Sequence, residues 1–377
     1  LSASLLAVVL GSVHGFSIFI VPLESVFGAS RAMVSLTYSI ALVTLTIAVL
    51  FGHRLFAKWL PGMFVFGVCL LAASGAIIAA FAPSLPVVWF GYSVLFGGAN
   101  GLGYGFGLQI AGQIKPGREG FSMGVVTAAY ALGAAVSPAL FAFAVARGGF
   151  ATAMIGLAGT LVLAAAVCAA LLIASGVGFK TAGSNQSARK LPAASYVLLW
   201  LGYGAGTIGG LMTIGHAAGI ARTLHYDGAV WVAPVAIAVS NLAGSLTAGR
   251  LIDRVLPLHL LAGLPLISVA GFLILAFANS ATVMMACFAV VGFAYGGIIA
   301  AYPAVIAKTY GAMDSPRIYG RVFTAWGTAG LCGPWLAGRM FDLTGNYQFA
   351  LATAGVLGFV SIAAIWMLLS ARTSASV

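Results

Sequence analysis

Apolar residues run along this chain in blocks of about 20 or more, separated by short polar breaks. The first six blocks fall at 3–27, 32–51, 62–82, 87–110, 120–144 and 150–174, and the next six at 195–218, 228–249, 258–278, 282–306, 320–340 and 347–369. A block of that length crosses a hydrocarbon core of about 30 Å as a helix. Buried strands are rarely so long, and a membrane barrel would alternate polar and apolar positions. The pattern predicts an all-α membrane protein with 12 transmembrane helices in two six-helix bundles.

Composition supports that class. Of 377 residues, 62% are hydrophobic and 6% are charged, whereas soluble domains carry about 25% charged residues. The net charge of +11 would suggest nucleic acid in a soluble chain, but here the loops explain it. With a cytoplasmic N-terminus, Arg54, Lys58, Lys115, Arg118, Lys180, Arg189, Lys190, Arg250, Arg254, Lys308, Arg317, Arg321 and Arg372 lie inside. Arg31, Arg147, Arg222 and Arg339 lie outside. That bias predicts a multi-pass protein of the cytoplasmic membrane with both termini cytoplasmic, bounded by lipid and binding no nucleic acid. Cys69, Cys168, Cys287 and Cys332 all fall in predicted helices without metal-ligand spacing, so no metal and no cofactor is expected. The first helix is too long for a signal peptide and lacks a processing site, so it is expected to remain. A chain that starts at Leu1 is expected to lack a short native N-terminus.

The polar run Lys180–Lys190 divides the chain into an N-terminal bundle (1–175), a cytoplasmic linker (176–194) and a C-terminal bundle (195–377). The halves repeat. His53-Arg-Leu-Phe-Ala-Lys-Trp-Leu-Pro61 aligns with Gly249-Arg-Leu-Ile-Asp-Arg-Val-Leu-Pro257 at an offset of 196, which also puts Gly101 on Gly297, Gly124 on Gly320 and Pro138 on Pro334. Parallel repeats with a solute site between them are a device of secondary transporters.

Gly-Arg-Leu-Ile-Asp-Arg at 249–254 resembles the loop signature of the major facilitator superfamily, with a weaker copy in loop 2–3 where Ala57 stands opposite Asp253. Within that superfamily, Lys115-Pro-Gly-Arg-Glu-Gly-Phe-Ser-Met-Gly124, Ala129-Tyr-Ala-Leu-Gly133 and Pro138 are similar to the helix 4–5 region of the monocarboxylate transporters and oxalate/formate exchangers. Gly15-Phe-Ser-Ile-Phe, Pro22-Leu-Glu and Phe27-Gly-Ala-Ser-Arg-Ala32 fit the same group. The resemblance implies a secondary transporter of small organic anions, working by alternating access as a symporter or antiporter. Two positions depart from it. Ser245, four residues after Asn241, stands where the families carry an arginine, and the exchangers' helix-11 lysine is absent. Both departures disfavour a dicarboxylate.

The acids are Glu24, Glu119, Asp227, Asp253, Asp314 and Asp342, all in predicted loops or near helix ends, which disfavours a cationic solute. His14 is the ionisable residue nearest the midplane, and by the resemblance it falls at the monocarboxylate transporters' helix-1 lysine. It reads as an anion or proton site, or else as a histidine hydrogen-bonded between helices. His216, in the outer part of helix 7, reads as cavity or as mouth polarity. Asn100 and Tyr104 share a face of helix 4, Tyr295 and Tyr302 share a face of helix 10, and Tyr130 has Trp326 as its repeat mate. With Asn241 and Ser245 these complete the expected substrate pocket, mostly apolar with a few polar contacts. Arg250, Asp253 and Arg254 read as a conformational latch, or as an exposed ion pair worth about 0–1 kcal/mol.

Gly97-Gly-Ala-Asn-Gly-Leu-Gly-Tyr-Gly-Phe-Gly107 sits inside a helix with no preceding strand, so it is not a dinucleotide loop; its small residues suit close helix packing. No Walker sequence and no embedded catalytic constellation occurs, which disfavours an ATP-driven pump and an enzyme. The alternative function is an exporter of neutral or amphipathic compounds. A monomer is expected in either case.

Overall fold

The computed structural model describes residues 1–56, 58–114, 119–178, 193–223, 226, 228–252, 257–278, 280–310 and 315–374. Most of the expected linker and the latch residues Asp253 and Arg254 lie outside them. The described residues form helices and no strands. A bilayer offers backbone groups no water, so spanning segments must satisfy their own hydrogen bonds.

Helix α1 is Ser2–Phe27, α2 Arg31–Phe56 and α3 Pro61–Ala80; α4 covers 85–114. The run Glu119–Ser175 holds two helices, α5 (119–147) and α6 (150–175), because Gly148 and Gly149 leave helical geometry between them. Gly149 has φ +72°, which favours glycine there. The second half contains α7 Ala193–Thr223, α8 Val232–Leu251, α9 Pro257–Ala276, α10 Ala281–Tyr310, α11 Ser315–Thr344 and α12 Gln348–Ser374. Among the described residues, ten helical runs are long and apolar enough to cross a membrane, and one of them is the double run through α5 and α6. Helix α11 is not among them: its ends carry Arg317, Arg321, Arg339 and Asp342, and its uncharged middle is rich in Gly and Thr.

Glycines set the helix spacing. A methyl group at Gly97 or Gly101 of α4 would strike the backbone of Ala41 or Leu45 in α2, and one at Gly292 or Gly296 of α10 would strike Ile237 or Asn241 in α8. The α2 and α8 positions are offset by 196, but the glycines are offset by 195. Helix α10 therefore packs one residue out of the single offset, and Gly101 matches Gly296 rather than Gly297. Gly11 and Gly133 bring α1 against α5 in the same way.

The two sets of six helices meet along antiparallel α2 and α11, where Gly338, Gly330 and Gly327 lie over Ala32, Leu42 and Thr46. They also meet through Ala134 and Ala135 of α5 against Ala238 of α8, and through the middle of α1 against α7. That middle, Gly11–Phe19, is wound as 3₁₀ helix and wholly buried, and α4 loosens to π geometry over Trp89–Phe96. Donors on α4 reach across to α1: Tyr92 donates to the Val13 carbonyl at 3.3 Å and the Asn100 amide to the Leu10 carbonyl at 2.5 Å. Mid-helix departures of this kind often mark functional segments.

Candidate functional site

Midway through the bundle, a cavity of about 40 Å³ lies between the two halves, with room for a few water-sized molecules. His14, Leu45, Tyr104, Thr127, Tyr130 and Ala131 line it from the first half; Asn241, Tyr295, Ile299, Phe323 and Trp326 line it from the second. A wider hollow beside Phe277 opens at the edge of α9 and α10 among exposed apolar side chains.

The wall repeats across the two halves. Leu45 corresponds to Asn241, Thr127 to Phe323 and Tyr130 to Trp326 at the offset of 196. Tyr104 corresponds to Ile299 at the α10 offset of 195, and every member lines the cavity. The same two positions are hydrogen-bonded to each other in each half. Tyr130 Oη–H donates to Asn100 Oδ1 at 2.9 Å, and Trp326 Nε1–H donates to Tyr295 Oη at 2.9 Å; Asn100 and Tyr295 are themselves 195 apart.

The symmetry breaks at the histidine. His14 corresponds to Gly210, and the ring of Tyr295 occupies the space a side chain at Gly210 would need. His14 Nδ1 lies 2.5 Å from Tyr38 Oη, a bond either atom can donate. Its ring stands edge-on to Tyr130, with centroids 5.5 Å apart at 79°. Among the described residues His14 is the sole ionisable side chain in the wall apart from tyrosine phenols, with no Asp, Glu, Lys or Arg among them. The arrangement offers one imidazole, one carboxamide and aromatic surface, which suits a small, partly apolar solute with one strongly polar end.

Six of the sequence-derived candidates line this cavity: His14, Tyr104, Tyr130, Asn241, Tyr295 and Trp326. Four do not. Asn100 is wholly buried behind the wall because both ends of its amide are engaged, by Leu10 and Tyr130. Tyr302 shares a helix face with Tyr295 but lies about 10 Å further along the axis, where it stacks on Tyr203 at 4.2 Å between ring centroids. Ser245 is wholly buried and donates to the Gly296 carbonyl at 3.0 Å, so it joins α8 to α10. His216 sits nearer the face opposite the termini, bonded to Tyr347 and close to the Pro334 carbonyl. Arg250 is exposed at the end of α8. Sequence reasoning missed Leu45, Thr127, Ala131, Ile299 and Phe323, and it missed Tyr38. The repeat offset, applied to each candidate, points to Phe323 only through Thr127, which carries no chemical signal of its own.

Comparison with known proteins agrees with this architecture. The Major Facilitator Superfamily profile matches residues 2–278 and, in a second overlapping match, 199–377. The chain is 24% identical over 339 residues to the uncharacterized MFS-type transporter YhjX of Escherichia coli (strain K12), covering 86% of this chain and 83% of that one. Its fold is similar to the crystal structure of the human organic anion transporter MFSD10 (TETRAN). The TM-score is 0.74 at 13% identity, over 97% of this chain and 98% of that one. With a family profile covering both halves, this chain belongs to the Major Facilitator Superfamily and is a multi-pass membrane transporter rather than an enzyme.

Proposed function

We propose that this transporter carries small organic anions, monocarboxylate-like in size and charge, by alternating access of its two six-helix halves, with a proton as the coupling ion. The observation that carries the reading is His14, whose imidazole borders the cavity while Tyr38 engages Nδ1. With Tyr38 donating, Nε2–H is the remaining donor for a carboxylate. An anion leaving water needs a compensating charge or strong donors. An anion beside an imidazole favours its protonated form, which supplies a second donor and a charge. Anion and proton then bind together, without an embedded carboxylate.

Asn241 adds an amide from the opposite half, so a solute bonded to both residues bridges the halves and favours their closure. Leu45, Ile299, Phe323 and Trp326 provide apolar surface for a short carbon chain. The organic-anion name of the structural neighbour is in keeping with this reading. A monomer in the cytoplasmic membrane, with both termini cytoplasmic, completes the proposal; the charge bias of the loops supports that orientation.

A second reading, export of neutral or amphipathic compounds, draws on the aromatic wall, whose described residues include no Lys or Arg. Uptake by proteoliposomes discriminates the two. A panel of short carboxylates, with and without an inward proton gradient, should show accumulation that depends on the gradient. Efflux of neutral aromatic compounds with no carboxylate uptake would favour the exporter instead.

A further inference from the structure

Among the described residues, polar contacts between the halves gather at the face opposite the termini. Helix α2 starts there, and its first backbone N–H groups have no acceptor within the helix. Asp342, in the last turn of α11, provides one: Oδ1 accepts from the Arg31 N–H at 3.2 Å and Oδ2 from the Ala32 N–H at 3.1 Å. A carboxylate from one half thus caps the positive end of a 26-residue helix in the other.

The Arg31 side chain extends the contact. Its guanidinium pairs with Glu24 of α1 through two bonds, Nε to Oε1 at 2.6 Å and Nη2 to Oε2 at 2.9 Å, and lies 3.9 Å from the centre of the Phe341 ring in α11. Nη1 donates to Tyr347 Oη at 3.3 Å, and Tyr347 Oη lies 3.0 Å from His216 Nδ1. His216 Nε2 is 2.8 Å from the Pro334 carbonyl, which can only accept. Nε2 therefore carries the proton in the neutral imidazole, and Nδ1 accepts from Tyr347. Burial pushes the Tyr347 phenol up to about 12, so it keeps the proton it donates at ordinary pH. Donation runs in one direction, from Arg31 through Tyr347 and His216 to Pro334, and it joins α2 to α7 and α11. Ser35, one turn along α2, adds a contact to His216 Nε2 at 3.3 Å.

Further along α2 and α11 the contacts change character: Gly330 lies on Leu42 and Gly327 on Thr46. Small residues against side chains can separate without stranding a charge. The cluster at the end of the bundle cannot. It also holds both acids whose side chains are described, Glu24 and Asp342, and the Arg31–Glu24 pair is the one salt bridge among the described residues. Both of these carboxylates lie where the two halves would have to part.

We propose that this cluster, centred on Asp342 at the N-terminus of α2, is the lock of the face opposite the termini, and that its strength sets how often that face opens. The claim is independent of which solute is carried, so the test uses none. Leu42 is buried between α2 and α11. A cysteine there, in protein lacking the native Cys69, Cys168, Cys287 and Cys332, reports separation of the two helices. An impermeant maleimide is applied to intact cells and to inverted vesicles.

Asp342→Asn should raise labelling from the face opposite the termini by about two- to fivefold, the range of an acid at a helix N-terminus. Separately, Arg31→Gln, which loses the bond to Tyr347 and the contact with the Phe341 ring, should raise it in the same direction. Labelling from the other face should not rise. Asp342→Glu should label like the unsubstituted protein. Unchanged labelling in both Asp342→Asn and Arg31→Gln, with each protein monodisperse after purification, overturns the proposal. An equal rise from both faces overturns it too, since that reports general loosening.

Discussion

Replacing Asn100 by leucine tests how the site is held, because leucine is close to asparagine in size and removes both hydrogen bonds. The Leu10 carbonyl and the Tyr130 hydroxyl each lose their partner. A stranded buried polar group costs about 1–3 kcal/mol, whereas hydrogen bonds between membrane helices average about 0.6 and reach about 1.7 kcal/mol. The Tyr130 hydroxyl lies beside the cavity and can turn to water there. The Leu10 carbonyl, buried at the start of the 3₁₀ stretch, cannot. Asn100→Leu should therefore destabilise by about 1–2 kcal/mol. Tyr130→Phe breaks only one of the two bonds and should cost about 0.6 kcal/mol.

Equilibrium unfolding in mixed micelles measures both variants, and the double variant isolates the pair. Solute affinity should fall in each, because the Tyr130 ring that stands edge-on to His14 loses the bond that orients it. Equal losses in the two single variants, or none in either, would refute the assignment of Asn100 as a brace between α1, α4 and α5.

Gly133→Val should abolish monodisperse folded protein, since any side chain there meets the Val8 backbone; fluorescence-detected gel filtration of the expressed variant checks this. Ser245→Arg should lose both yield and uptake, because position 245 packs α8 onto α10 and has no room for a guanidinium. Full uptake by that variant would mean that position 245 faces the solute path.

The helices were legible in the sequence because a bilayer demands long apolar runs, and the observed bounds lie within a few residues of the blocks over most of the chain. Helix α11 is legible from its place in the repeat more than from its composition, since its charged ends and its Gly- and Thr-rich middle both lower its apolarity. Which way each helix faces is a different matter. Lipid is as apolar as the interior of the bundle, so an embedded helix need not carry the amphipathic stripe that orients a soluble one. Tyr302 and Tyr295 look equivalent in a seven-residue count, yet only Tyr295 reaches the cavity. Asn100 is chemically suited to a solute, but its amide is taken up by Leu10 and Tyr130. The repeat was legible at one offset. The single-residue change in α10, which puts Tyr104 opposite Ile299, became visible only through the glycine contacts of α4 and α10. The partnership of His14 with Tyr38, 24 positions apart on neighbouring helices, leaves no periodic trace.

The proposed function rests on His14, as the group that binds the anion and brings its proton. Counting protons and solute together in proteoliposomes, with a trapped pH dye and a labelled monocarboxylate such as lactate, tests it most directly. The wild-type protein should move about one proton with each anion, and His14→Ala should lose most uptake. His14→Lys supplies a permanent charge, so it should still bind the anion while its proton coupling disappears. Wild-type proton coupling in His14→Ala and His14→Lys, at unchanged solute affinity, would place the proton elsewhere and overturn the role proposed for His14.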